Sequence, residues 1–238
     1  MYIYGPIKSR RLGLSLGLSL SASKVCNFNC IYCQWGDIAP TVCQRFEYAG
    51  VAQIIAELKS WMLNHLPETK ALKFVTLSGL GEPTLNTNIG ELIKEVKKII
   101  PAKVAVITNS TLLNDPLVRQ AILGVDLIVP SLDAVDEEIF KQIDRPHQGI
   151  KLENIISGLI ALRKEFAGQI WLEVMLVSGV NDDWGHIEKL KTIIDQINPD
   201  KIQLNSPVRS TAEQNVASVE REKLEKMREF FGAKAEIV

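Results

Sequence analysis

The stretch Cys26-Asn-Phe-Asn-Cys30-Ile-Tyr-Cys33 places three thiols within eight residues. Deprotonated cysteine is a soft ligand that selects iron–sulfur clusters, zinc or Cu(I). Three sulfurs spaced this way on a compact loop can converge on one small object. A cubane [4Fe–4S] cluster normally takes four protein thiolates, so three would leave one iron open to a substrate or cofactor. Zinc is the alternative, with Cys43 as a fourth ligand. Structural zinc sites, however, generally come as two short-spaced ligand pairs, and a triad with one distant cysteine fits that pattern less well. A third reading is buried structural thiols, which leaves the bunching to chance. Cys43 reads as an isolated buried thiol, with a hydrogen-atom donor or an auxiliary ligand as its functional alternatives. His65, His147 and His186 stand apart from one another and receive no assignment.

A disulfide framework usually staples a small secreted domain and spreads its cysteines. Here 238 residues hold four cysteines. Bunched thiols in a chain of this length point to a reducing, cytoplasmic compartment. Apolar residues make up 46% and charged residues 23%, as in an ordinary globular protein. The net charge of −1 provides no strong global field for nucleic acid or anionic lipid, although Lys8, Arg10 and Arg11 form a local basic patch. No apolar run approaches the roughly 20 residues that span a bilayer, so no membrane partner is expected.

The elements that must position the thiols are legible on both sides of them. Between Arg10 and Cys33 the chain has the outline of an export signal: paired arginines, an apolar run, small residues, then a cysteine. The run itself argues otherwise. Leu12, Leu14, Leu16, Leu18 and Leu20 alternate with Gly or Ser, a period of two that puts all five leucines on one face of a strand. Gly13 and Gly17 weaken a helix, and Lys24-Val25 before Cys26 makes a poor cleavage site. The expectation is a first core strand ending near Leu20, then a thiol-bearing loop.

Downstream, Val51 to Leu66 has helical spacing. Strands at 72–79, 103–109, 125–133, 170–179 and 200–207 then alternate with helices at 89–100, 115–123, 153–166, 184–197 and 218–231. The strands are nearly continuously apolar, as when both faces are covered. That pattern predicts βαβ units, a parallel sheet and a single domain over 1–238. Pattern alone does not separate a barrel from an open doubly wound sheet, and both place chemistry at the C-terminal ends of the strands. Small and polar residues recur at that edge: Gly79, Gly81 and Glu82; Asn109; Ser131 and Asp133; Asn181; Asn205 and Arg209. Such a rim suits a polar ligand.

Cys26-x3-Cys30-x2-Cys33, with Tyr32 just before the third cysteine, resembles the signature of the radical S-adenosylmethionine (radical SAM) superfamily. Gly81-Glu82 resembles that superfamily's Gly-Gly-Glu motif, with Leu80 in place of its first glycine and Gly79 just before. "YGPIKSRRLGLSLG" and "SGLGEPTLN" look most like the wyosine-synthase-like group. The resemblance implies an α/β fold, a partial (β/α)6 TIM-like barrel with parallel strands. It implies that Cys26, Cys30 and Cys33 hold three irons of a [4Fe–4S] cluster and that S-adenosyl-L-methionine chelates the fourth. Tyr32 is expected near the adenine, Gly79, Gly81 and Glu82 near the methionine part, and Asn109, Ser131 and Asp133 near ribose or carboxylate. A one-electron donor such as flavodoxin or ferredoxin would reduce the cluster. A 5′-deoxyadenosyl radical would then take hydrogen from an unidentified substrate, nucleic acid among the candidates. Arg10, Arg11, Asn205 and Arg209 are expected to meet an anionic substrate. Wyosine synthases carry a second cluster from cysteines near the N-terminus, and none precedes Cys26 here. The alternatives are an activating enzyme for a glycyl-radical partner and a non-catalytic zinc or iron–sulfur module.

Overall fold

The computed structural model describes residues 1–35, 40–208, 211 and 213–238. Strands β1 (Ile3–Ser9) and β2 (Gly13–Ser19) form an antiparallel hairpin that pairs Ile3 with Leu18 and Ser9 with Gly13. At its tip Ser9 Oγ accepts from the backbone N–H groups of Arg11 and Leu12, each at 3.2 Å. After the thiol loop come α1 (Val51–Asn64), α2 (Leu66–Ala71), β3 (Phe74–Ser78), a short 3-10 turn (Pro83–Leu85), α3 (Ile89–Ile99) and β4 (Lys103–Thr108). Next are α4 (Pro116–Ile122), β5 (Leu127–Pro130), α5 (Glu137–Ile143), α6 (Leu152–Glu165) and β6 (Gln169–Met175). The order ends with α7 (Trp184–Ile197), β7 (Lys201–Asn205), α8 (Arg221–Phe231) and β8 (Ala235–Ile237).

The sheet runs β1 to β8 in sequence order, parallel from β2 onward, and its two edge strands do not pair with each other. It is therefore an open, partial TIM-like barrel. The expected (β/α)6 unit is β2 to β7. The hairpin strand β1 and the three-residue β8 extend it, and neither is evident from periodicity: β1 contains Pro6, which suits an edge, and β8 is too short to show a pattern.

Helix starts follow local chemistry. Asp115 accepts from Leu117 N with Pro116 in the first position of α4; Asp136 caps α5 and Asp183 caps α7. α1 stops at Asn64, earlier than the periodicity predicts, because Pro67 has no N–H to continue it. Helix faces at i, i+3, i+4 and i+7 are buried against the sheet, as with Ile89, Leu92, Ile93 and Val96 in α3.

Strand alternation divides the apolar residues into two clusters. Val104, Val106, Ile128, Leu172 and Leu204 point outward to the helices in the main core, whereas Ala105, Leu127 and Val129 point inward. Leu14, Leu16, Leu18 and Leu20 join the outer core, but Leu12 joins the inner cluster. The expectation that all five leucines share one face is thus corrected at Leu12, which sits in the hairpin turn, outside the strand register. The inner face of β2 carries small residues, Ser15, Gly17 and Ser19. A Cβ at Gly17 would come within 2.0 Å of the Tyr4 ring. Tyr4 reaches over this strand to hydrogen-bond Ser78.

Gly17→Ala is therefore expected to displace Tyr4 and destabilise the chain by about 1–3 kcal/mol, read as a lowered melting temperature. Gly179→Ala, with nothing within 4 Å of the added Cβ, would cost only the strain of a positive φ. Equal losses at the two sites would contradict the packing role assigned to Gly17.

Candidate functional site

The thiol loop crosses the C-terminal ends of the parallel strands and is held there by backbone pairing to the loops after β3 and α5. Val25 N donates to Leu80 O, and Glu82 N donates to Val25 O, both at 2.9 Å. Asn29 N donates to Asp144 O and Ile31 N to Ile143 O, both at 3.0 Å, and His147 N donates to Asn27 O at 2.8 Å. Side chains add a third attachment. Asn27, fully buried, donates to Thr111 Oγ1 and accepts from Asn109 Nδ2, each at 2.7 Å. Asn109 Nδ2 also lies 3.7 Å from Cys26 Sγ.

Gly81 makes the first of these pairings possible. Its φ is +124°, and a Cβ there would sit 1.8 Å from Val25 O. Gly79, φ +111°, lies against Ser19. These two expected positions thus show the close backbone approach that glycine permits.

Glu82, also expected from the sequence, is buried and densely bonded. Oε1 accepts from Thr84 N at 3.0 Å, Thr84 Oγ1 at 2.5 Å and Thr108 Oγ1 at 2.7 Å, while Oε2 accepts from Asn109 N at 2.7 Å. It caps the 3-10 turn and ties the end of β3 to the end of β4. Burial raises its pKa and these donors oppose the rise. Oε2, with one partner, keeps acceptor capacity for a ligand ammonium.

Tyr32 and Asp133 meet directly: the tyrosine hydroxyl donates to Asp133 Oδ2, and Met175 N donates to Oδ1 at 2.8 Å. Behind them lies Asp144, which the sequence reading missed. It accepts from Cys30 Sγ at 3.4 Å and faces Asp133 closely enough to share a proton. Burial, then the neighbouring carboxyl, pushes Asp144 well up; burial pushes Asp133 up to about 7. No motif marks Asp144, because α5 brings it to the loop from over a hundred residues away. Ser131 pairs with Glu173 across β5 and β6, and its carbonyl accepts from Ser110 Oγ at 2.7 Å. Ser110 holds φ +70° to do so.

The expected anion-binding residues divide. Arg11 and Asn205 converge on Glu173, another residue missed from sequence. Arg11 Nη1 lies 2.7 Å from its Oε2, an ion pair in contact rather than an aligned hydrogen bond, and Asn205 Nδ2 donates to Oε1 at 2.9 Å. Arg10 is exposed on the hairpin tip. Arg209 lies outside the described residues.

The donor set of the loop fits an iron–sulfur cluster in type. Among the described residues no three His, Cys, Asp or Glu side chains are already gathered as a metal set. The cysteines are free of disulfides and lie within electrostatic reach of one another. Burial pushes Cys26 up to about 12 and raises Cys30 well above its ordinary value. Without added positive charge both remain thiols. A metal cluster would supply that charge and convert them to ligands.

Gly81→Ala is expected to push Val25 off its bridge and cost about 1–3 kcal/mol from backbone strain alone, seen as a lower melting point and faster proteolysis within the thiol loop. An unchanged melting point would remove the bridge from the account. For the metal-free chain, the carboxyl pair sets the sign of a pH effect. Folded Asp133 binds its proton more tightly than the unfolded chain does, so its contribution is present at low pH. It is lost as pH rises from the ordinary 3.8 through about 7. Asp133→Asn should flatten that loss in melting curves across pH; a steeper decline in the variant would reverse the assignment.

Comparison with known proteins bears on the same segment. The model of the radical SAM superfamily matches residues 20–190, from the thiol loop into the middle of α7. A protein of Brachyspira hyodysenteriae named GTPase Obg is 38% identical over 235 residues, 99% of this chain; the chain spans only 34% of that protein's length. A UPF0026 protein of Methanocaldococcus jannaschii is 32% identical over 96% of this chain and 70% of its own length. A solved structure of TYW1 with a lysine-pyruvate adduct bound superposes with a TM-score of 0.65, covering 91% of this chain and 72% of that one at 20% identity, a likeness of fold. None of the described helices is long and apolar enough to cross a membrane. With its thiol loop and glycine-carboxylate turn on one rim of an open parallel barrel, and with that family match, the chain belongs to the radical SAM superfamily of enzymes, in the group that carries the UPF0026 name.

Proposed function

We propose that Cys26, Cys30 and Cys33 hold three irons of a [4Fe–4S] cluster, that S-adenosylmethionine completes the fourth, and that the chain uses this pair to abstract hydrogen from a substrate at the barrel opening. Superfamily membership implies S-adenosylmethionine and an iron–sulfur cluster; the assignment to these residues is ours. The observation that carries it is the stitching of one thiol loop to the three loops that bear Gly81 and Glu82, Asn109, and Asp144. When bound, the pair supplies one-electron cleavage of the sulfonium carbon–sulfur bond and a 5′-deoxyadenosyl radical for hydrogen abstraction.

The chain's own residues bind, orient and exclude water. The backbone at Gly79 and Gly81 offers close approach to the methionine part. Glu82 Oε2 accepts from its ammonium, a charge-assisted bond. Asp133 and Tyr32, bonded to each other, fix the floor beneath the adenosine, and Asn109 and Ser131 face its ribose. Burial of this floor keeps a reactive carbon centre away from solvent. Reduction is assigned to a one-electron donor of the flavodoxin or ferredoxin kind. The substrate reading is a nucleoside or small metabolite. The wyosine-like stretches support the nucleoside end of that range, while the near-neutral chain lacks the basic footprint that tRNA binding needs.

Anaerobic reconstitution with iron and sulfide tests this. The expected result is a brown protein with about four irons per chain that releases methionine and 5′-deoxyadenosine from S-adenosylmethionine under dithionite. Cys30→Ala should lose the colour and Cys43→Ala should keep it. A colourless protein with one tightly held zinc, or a cluster that leaves S-adenosylmethionine intact, would falsify the proposal.

A further inference from the structure

The barrel opens laterally where β1 and β8 do not pair, and a cavity of about 300 Å³ lies along that gap. Arg10 and Arg11 from the hairpin turn, Lys201 from the start of β7, Arg221 from the start of α8, and Glu236 from β8 line it. Four cationic side chains thus line the cavity beside one acidic side chain, Glu236, and Val238, the last residue of the sequence.

Each cation is held differently. Arg11 is anchored from behind by Glu173. Lys201 Nζ sits 4.6 Å from the centroid of the Trp171 ring and 3.0 Å from Glu236 Oε2. Arg221 pairs with Glu225 one turn along its own helix. Arg10, at the hairpin tip, has no acidic partner among the described residues. Positively charged side chains are placed on three separate elements around one space, with their guanidinium or ammonium groups already partly oriented. That is the arrangement by which proteins take an oxyanion, since arginine offers paired donors and lysine a compact charge.

Glu173 connects this cavity to the proposed cofactor site. One oxygen holds Arg11 and the other takes Asn205, its strand is bridged to Ser131, and its charge is felt at Asp133. We propose that the cavity is an oxyanion site that takes the phosphate or carboxylate group of a small-molecule ligand. Oxyanion binding here does not depend on the radical chemistry proposed above. The cavity's size favours one anionic group over a polymer backbone, which would need a longer basic track.

The test is phosphorus NMR line broadening of inorganic phosphate titrated with the full chain, which needs no cluster and so is independent of the reconstitution experiment. Saturable broadening is expected, with an apparent dissociation constant of about 1 mM or tighter. Arg10→Gln should weaken it severalfold without unmasking a buried acid. Arg10→Gln combined with Lys201→Gln should weaken it tenfold or more, and Glu236→Gln should tighten it. Lys141→Gln, an exposed charge on α5, should leave it unchanged. Displacement by acetate at similar concentration assigns the site to carboxylates, and resistance to acetate assigns it to phosphates. Absence of saturation, equal affinity in wild type and the double variant, or an equal loss in Lys141→Gln would overturn the proposal.

Discussion

The site depends on one constraint: over its described residues the thiol loop has no helix or strand of its own and is positioned by backbone hydrogen bonds borrowed from neighbouring loops. Buried backbone N–H and C=O groups must be paired, and at Val25, Asn27, Asn29 and Ile31 the partners belong to the loops after β3 and α5. Each strand-end loop is in turn set by a strand of the sheet. The loop is thus carried by the barrel although it is not part of it. The missing Cβ at Gly81 lets two chains approach as adjacent strands would, and it also leaves bare backbone facing the rim.

Within and beneath this loop, half-buried Cys26, Cys30 and Tyr32 meet the buried Asp133 and Asp144, more acidic protons than the space can ionise. Two thiols, two carboxyls and a phenol share a space with little water, and desolvation keeps them protonated. Hydrogen bonding among Tyr32, Asp133, Asp144 and Cys30 satisfies the polar atoms without separating charge. A region of this kind is poised to change when positive charge enters it, because each proton lost then meets a compensating cation. In a purely structural core, apolar side chains would fill the same volume at lower cost.

The opposite side of the barrel obeys different rules. The inner faces of β6 and β7 carry Glu173, Lys201, Gln203 and Asn205, where the inner faces of β4 and β5 carry Ala105, Leu127 and Val129. Lys201 and Asn205 are partly exposed there, while Glu173 and Gln203 are buried. Arg11, reaching from the hairpin to Glu173, bridges the two halves and fixes the hairpin against the opening.

The sequence alone determined the alternation of strands and helices, the parallel order and the thiol triad. These rest on local signals: period-two and period-3.6 burial, capping residues, and short spacings within one loop. It also marked Gly79, Gly81, Glu82, Tyr32, Asn109 and Asp133, since motif positions lie at strand ends that periodicity locates. What it left undetermined required distant segments to meet. Asp144 against Cys30, Glu173 between Arg11 and Asn205, and Asn27 locked to Asn109 join residues 32 to 162 positions apart, and no local pattern encodes such pairs. The antiparallel β1, the edge strand β8 and the inward turn of Leu12 were likewise decided by tertiary structure, because an edge strand takes its conformation from the neighbour it pairs with rather than from its own few residues.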